Sequence, residues 1–113
     1  MLKKARYSRQ AGVTSPSSVG LVTGPRTDEW ASYVRELGLV LNRLRTEADL
    51  SQEKVAHAAG LSRGYYHQLE KGSSRTGRIA NPTLLNLVAL AQVLGTTVEA
   101  LLPPNPPDVR VGR

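Results

Sequence analysis

The chain is 113 residues long with a net charge of +6, and it contains no Cys, no Phe, one Trp and four Tyr. Such a length suits one modest domain of about 100 to 150 residues, and a core drawn from Leu, Val and Ala suits close-packed helices better than a sandwich. The absence of Cys excludes disulfides and thiolate sites for zinc or iron–sulfur clusters, so a reducing cytoplasm is the expected setting.

In chain order, residues 1–26 come first and carry Lys3, Lys4, Arg6, Arg9 and Arg26 with no acid, a net +5. No apolar stretch follows the initial charges, so no export signal is expected. The run QAGVTSPSSVGLVTGPR over residues 10–26 lacks a helical period and reads as a flexible basic arm, in which Val19–Thr23 would form a strand given a partner. Next, Trp30, Val34, Leu37, Leu41, Leu44 and Ala48 recur at alternating steps of four and three, one stripe of an amphipathic helix over roughly 28–48. Ser51 as cap, Gln52 and Glu53 in the first turn and a Leu50–Val55 staple open a second, short helix that ends at Gly60.

The same grammar repeats with Leu61, Ser62 and Tyr66, predicting a third helix that runs to about Lys71 and stops at Gly72. Asn81-Pro82 predicts the start of a fourth, with Leu84, Leu87, Val88, Ala91 and Leu94 as its core stripe and Gly95 as its end. Leu85, Ala89 and Val93 widen that stripe beyond the needs of one core. Thr97, or Thr96 with Glu99, caps a last short helix ending at Leu101-Leu102. The stretch Leu84–Leu102 approaches membrane length, but Asn86, Gln92, Gly95, Thr96, Thr97 and Glu99 mark it as soluble helix, and no membrane partner is expected. The remainder, PPNPPDVRVGR, is an extended tail because proline removes donors and fixes φ. The expected organisation is an arm over 1–26, an all-α five-helix domain over 27–102 and a Pro-rich tail over 103–113.

Residues 27–102 hold eight basic and eight acidic residues, yet residues 60–80 set Arg63, Lys71, Arg75 and Arg78 against Glu70 alone, a net +3. A local excess of this kind is the footprint of a phosphate-facing surface, with a solvated basic patch as the plain alternative. The turn Ala59-Gly60-Leu61-Ser62 is too tight for a bundle and sets the third helix steeply across the second, its amino end free to enter a groove.

The segments LSQEKVAHAAGLSRGYYHQLEKG and NPTLLNLVALAQVLGTTVEALL resemble the Cro and phage-repressor type of helix-turn-helix domain, the xenobiotic-response-element family, over about 70 residues. The resemblance implies a lambda-repressor-like fold, double-stranded DNA as partner and no cofactor. It implies that Gln52 hydrogen-bonds a backbone phosphate and that Ser62, Arg63, Gly64, Tyr65, His67 and Gln68 face DNA. It also implies that Arg45 and Glu70 form the buried salt bridge found in phage repressors. Read from the residues themselves, Arg63 and Gln68 are long donors suited to guanine and adenine edges. Gly64 lowers helix propensity, which close approach to a base or phosphate would explain.

Tyr65 reads equally as a phosphate contact and as a rim aromatic. Leu61, Tyr66 and Leu69 are expected in the core. Tyr66 stands where the family usually has Ile, so its hydroxyl is expected to reach the surface. His57 and His67 are too isolated to suggest a metal. The segment SSRTGRIA over 73–80 is longer than the family's usual connection; there Arg75 and Arg78 either track the sugar-phosphate backbone or lie on a solvated insertion. The function expected is a sequence-specific duplex-DNA-binding regulator, a repressor and homodimer whose half-sites lie about 34 Å apart. No nucleophile turn, phosphate loop or paired carboxylates suggest an enzyme. The alternative is an antitoxin or a transcription-bridging module with a protein partner. A polar or acidic face on the third helix would favour that role, whereas Arg63 and Gln68 favour DNA.

Overall fold

Four hydroxyl side chains open four of the five helices among the described residues. In a computed structural model that describes residues 27–110, Ser51, Ser62, Thr83 and Thr97 accept the backbone N–H of Lys54, Tyr65, Asn86 and Ala100. Each such cap is worth about 1 kcal/mol. The helices are α1 (Thr27–Glu47), α2 (Gln52–Ala58), α3 (Arg63–Lys71), α4 (Leu84–Val93) and α5 (Val98–Leu101). The fold is therefore all-α, as expected. The start of α4 is a correction: Thr83, not Asn81-Pro82, supplies the cap. Pro82 disfavours helical geometry at Asn81, and the Thr83 hydroxyl reaches the Asn86 amide at 3.0 Å.

Ends are closed by left-handed residues. At the α2 end Gly60 has φ 79°, which lets the Leu61 amide return to the Ala56 carbonyl at 2.8 Å. This reversal joins α2 to α3 in four residues. Asp49, with φ 60°, does the same after α1, sending the Leu50 amide to the Arg45 carbonyl at 3.1 Å. Ala48, whose amide still bonds the Leu44 carbonyl at 3.1 Å, lies just past the end of α1 and is exposed, so it is not the last member of the α1 stripe.

Residues Ala31–Asn105 form one unit, and residues 27–30 and 106–110 belong to a second. Within the first, Leu37 and Leu41 meet Val55, Ala56, Tyr66, Leu69, Leu90, Ala91 and Leu101, so every helix contributes to one core. The Tyr33 hydroxyl donates to the Pro103 carbonyl at 2.8 Å and ties the end of this unit to α1. Gly38 faces α3 so closely that a Cβ there would lie 2.7 Å from the Leu69 carbonyl oxygen. In α4 the inward residues are Leu87, Leu90, Ala91, Val93 and the capping Leu94, so Val93, expected beyond the core's needs, packs on the core, while Leu84 and Val88, predicted for the core, are exposed. Within LLNLVALAQV only Asn86 and Gln92 are polar, and so weak a contrast leaves the rotation of the helix unmarked.

In the second unit Asp108 accepts from the Arg110 amide at 3.0 Å and from its guanidinium at 2.9 Å. No helix among the described residues is long and apolar enough to cross a membrane. The basic arm over 1–26, its strand at Val19–Thr23 and residues 111–113 lie outside the described residues.

Candidate nucleic-acid interface

Helix α3 buries Tyr66 and Leu69 and exposes Arg63, Gly64, His67 and Lys71, with the capping Ser62 also exposed and Gln68 half-buried. A Cβ on Gly64 would meet nothing within 4 Å, so no packing among the described residues requires glycine there. An open groove beside the start of α3 is lined by Lys54, His57, Ser62 and Arg63, with Glu53 as its acid. Among the described residues no cluster of three His, Asp or Glu could hold a metal.

Beneath this surface the structure brings Arg45 and Glu70 together. Arg45 Nε donates to Glu70 Oε2 at 2.6 Å, and the two side chains are 14% and 6% exposed. The other carboxylate oxygen, Oε1, accepts from Gln52 Nε2 at 2.9 Å, Asn42 Nδ2 at 3.1 Å and the Arg45 guanidinium at 3.2 Å. A further Arg45 N–H reaches the Leu50 carbonyl at 2.9 Å. Burial pushes the Glu70 carboxyl up, but the hydrogen bonds led by Arg45 outweigh it and hold the group at about 2. The same hydrogen bond raises the Arg45 guanidinium further above its ordinary value. One carboxylate thus fastens α1, the start of α2 and the end of α3 to each other.

The cluster also sets the surface charge. Glu70 is the only acid between residues 60 and 80, and it is sunk and neutralised. What this segment shows to solvent is Arg63, Lys71, Arg75 and Arg78, all exposed. Gln52 spends one amide N–H on Glu70, which leaves its second N–H and its carbonyl. Tyr65 is half-buried against the core, with its hydroxyl 3.5 Å from Asn86 Nδ2. Tyr66 is a correction: its hydroxyl does not reach the surface but is buried without a directed hydrogen bond. Burial first, and then the adjacent Glu70 carboxylate, raise its pKa. The 73–80 insertion is ordered, with an antiparallel bridge between Ser73 and Ile79.

Sequence reasoning missed Asn42 and Gly38. Asn42 precedes Arg45 by three residues and so shares its face of α1, a spacing that could have flagged it. Gly38 is a lone glycine within a strongly periodic helix, which signals a packing reason.

A helix-turn-helix family model matches residues 41–101. An uncharacterized HTH-type transcriptional regulator, y4dJ, of Sinorhizobium fredii is 40% identical over 63 residues, covering 56% of this chain and 74% of that protein. Among solved structures, the restriction-modification controller protein C.AhdI from Aeromonas hydrophila superposes with a TM-score of 0.55 at 34% identity, covering 65% of this chain and all of that one.

Proposed function

Because the chain belongs to the Cro/C1-type helix-turn-helix family of DNA-binding transcriptional regulators, we propose that it is a homodimeric repressor that inserts α3 into the major groove of its operator. The observation that carries this reading is the outward face of α3 and the segment after it. Four cations are exposed there, and the one local acid is buried beneath them. Arg63, in the first turn, is placed for a guanine edge, and Gln68 for an adenine edge. Ser62, Gly64, Tyr65 and His67 flank them, and the free N–H of Gln52 is available to a phosphate.

The dimer is supported by α4. Leu84 and Leu85 are 69% and 76% exposed and Val88 lies beside them, an apolar face suited to a second copy of the same helix. The likeness to a controller protein, over 65% of this chain and all of that one, supports a regulator that acts by occupying DNA.

The test is selection of bound sequences from random duplex DNA, followed by affinity measurements on the selected site and on scrambled DNA. Arg63→Ala is expected to cost about 1 to 3 kcal/mol on the selected site and to relax preference at one base position. Equal losses on both duplexes would make Arg63 a phosphate ligand only. No preference for any duplex by wild type would transfer the chain to the antitoxin or bridging class.

A further inference from the structure

The 73–79 segment closes as a hairpin. Its frame is set by the Ala80 amide on the Gly72 carbonyl at 3.0 Å and the Ser74 amide on the Arg78 carbonyl at 2.9 Å. The Gly77 amide returns to the Ser74 carbonyl at 3.0 Å, and Gly77 takes φ 89°, the left-handed conformation that completes a three-residue hairpin loop. Ser74 Oγ accepts from the backbone N–H of Thr76 and Arg78 at 3.3 and 3.2 Å, locking the turn from inside. Arg75, Thr76, Gly77 and Arg78 are all exposed, and among the described residues neither guanidinium is in an ion pair or side-chain hydrogen bond.

We propose that this hairpin is a second DNA-binding element, gripping the phosphodiester backbone through Arg75 and Arg78 outside the base pairs that α3 reads. The inference rests on α3 being the groove-entering helix. Nine residues of α3 rise about 13 Å, close to the roughly 12 Å width of the major groove. A chain leaving the carboxyl end of such a helix therefore emerges at the bank of the groove, where the phosphates lie. Gly72 ends α3 and the hairpin starts at the next residue. Guanidinium forks match phosphate oxygens in pairs, and a turn already ordered loses less freedom on binding than a loose loop. The hairpin contains two cations and no acid, so nothing within it competes with phosphate.

The experiment measures binding of the full chain to its selected operator between 50 and 200 mM salt. It compares wild type with the Arg75→Gln/Arg78→Gln double variant, on a long duplex and on one trimmed to the base pairs α3 reads, with thermal melts confirming that both proteins fold. Two lost phosphate contacts flatten the salt dependence, so over that range wild type should lose about tenfold more affinity than the variant. Selected and scrambled duplexes should be affected alike, and trimming should bring wild type down to the variant. Ser74→Ala, which loosens the turn and keeps both charges, should weaken wild-type binding on the long duplex only. Unchanged affinity and slope in the double variant would overturn the proposal, as would a loss of equal size on the trimmed duplex. Altered preference at a base position would make the hairpin a base reader and overturn the phosphate assignment. A wild type that binds no duplex would remove the α3 reading and this one together.

Discussion

Helices α3 and α4 pack on the same core and turn opposite chemistries outward. α3 shows Arg63, His67 and Lys71 to solvent, while α4 shows Leu84, Leu85 and Val88. Their inner faces are alike, with two fully buried residues each, Tyr66 and Leu69 against Leu90 and Ala91. The inner face decides only that a helix docks; the outer face decides what it meets. A cationic face attracts a polyanion through long-range field, and an apolar face gains only when another apolar face covers it. The two helices also differ in what holds them. With nine and ten residues neither is stable alone, since isolated helices below about 12 to 15 residues are marginal, and α3 is the one fastened by a charge. It depends on Glu70 to pin its end to α1 and α2, whereas α4 is held by apolar burial.

The largest test of that difference breaks the pin. Glu70→Ala leaves the Arg45 guanidinium partly buried without its partner and should cost about 3 to 5 kcal/mol of stability. Denaturant melts of Glu70→Ala, Arg45→Ala and the pair should give strongly non-additive losses; additive ones would dissolve the coupling. The same bond has a pH signature. The carboxyl lies at about 2 in the folded chain against an ordinary 4.5. Its contribution is therefore complete above pH 4.5 and is lost as pH falls towards 2, because the unfolded chain takes up the proton first. Glu70→Gln should lower stability at neutral pH and flatten this acid limb.

A smaller effect should follow on α4, and in a different observable. In the proposed dimer, Leu85→Glu would place like charges opposite each other across the two-fold contact. It should weaken self-association by about 2 kcal/mol or more, while the monomer's stability, with the change at a residue 76% exposed, shifts by no more than about 0.5 kcal/mol. Sedimentation across a concentration series reads the first and thermal denaturation the second. If association survives intact, the apolar face of α4 is not the dimer contact.

The contrast between these helices also explains what could be read in the residues beforehand. In α3 the apolar Tyr66 and Leu69 stand among Arg, His, Gln, Glu and Lys, so a 3.6-residue period is visible and the buried side follows from it. In α4 nearly every residue is apolar, the period disappears, and Leu84 and Val88, expected inward, face out. Helix starts at Ser51, Ser62 and Thr97 were legible because a hydroxyl before an apolar run has a local physical role. The start of α4 was not, because Asn81, Pro82 and Thr83 offer competing caps and only three-dimensional reach chooses between them. The Arg45–Glu70 pair was visible by resemblance. The addition of Asn42 and Gln52 to the same carboxylate oxygen depends on the crossing of three helices, which no local window contains. Order in the 73–79 hairpin was illegible for a related reason: it rests on backbone bonds from Gly72 to Ala80 and on the inward turn of one serine.

The smallest effect tests whether the junction under α3 is saturated, and it concerns sign more than size. Tyr66 is fully buried, and its hydroxyl has no hydrogen bond of acceptable direction although Arg45 and Glu70 are its neighbours. Those neighbours are already satisfied: Glu70 accepts from Arg45, Asn42 and Gln52, and Arg45 donates to Glu70 and to Leu50. A buried hydroxyl without a partner costs about 1 to 3 kcal/mol of lost hydration, and its dipole recovers part of that beside a charged pair. Tyr66→Phe keeps the ring that fills the core and deletes only the oxygen. Stability should hold or rise by up to about 1 kcal/mol, with DNA affinity unchanged because the residue never reaches the surface. The cavity left by one oxygen is small, and the apolar contacts with Leu41, Leu69 and Leu90 in the core remain. A fall of more than about 1 kcal/mol would mean that the hydroxyl donates to Glu70 in solution. The pin would then be a five-residue network, and Glu70→Ala would owe part of its cost to Tyr66.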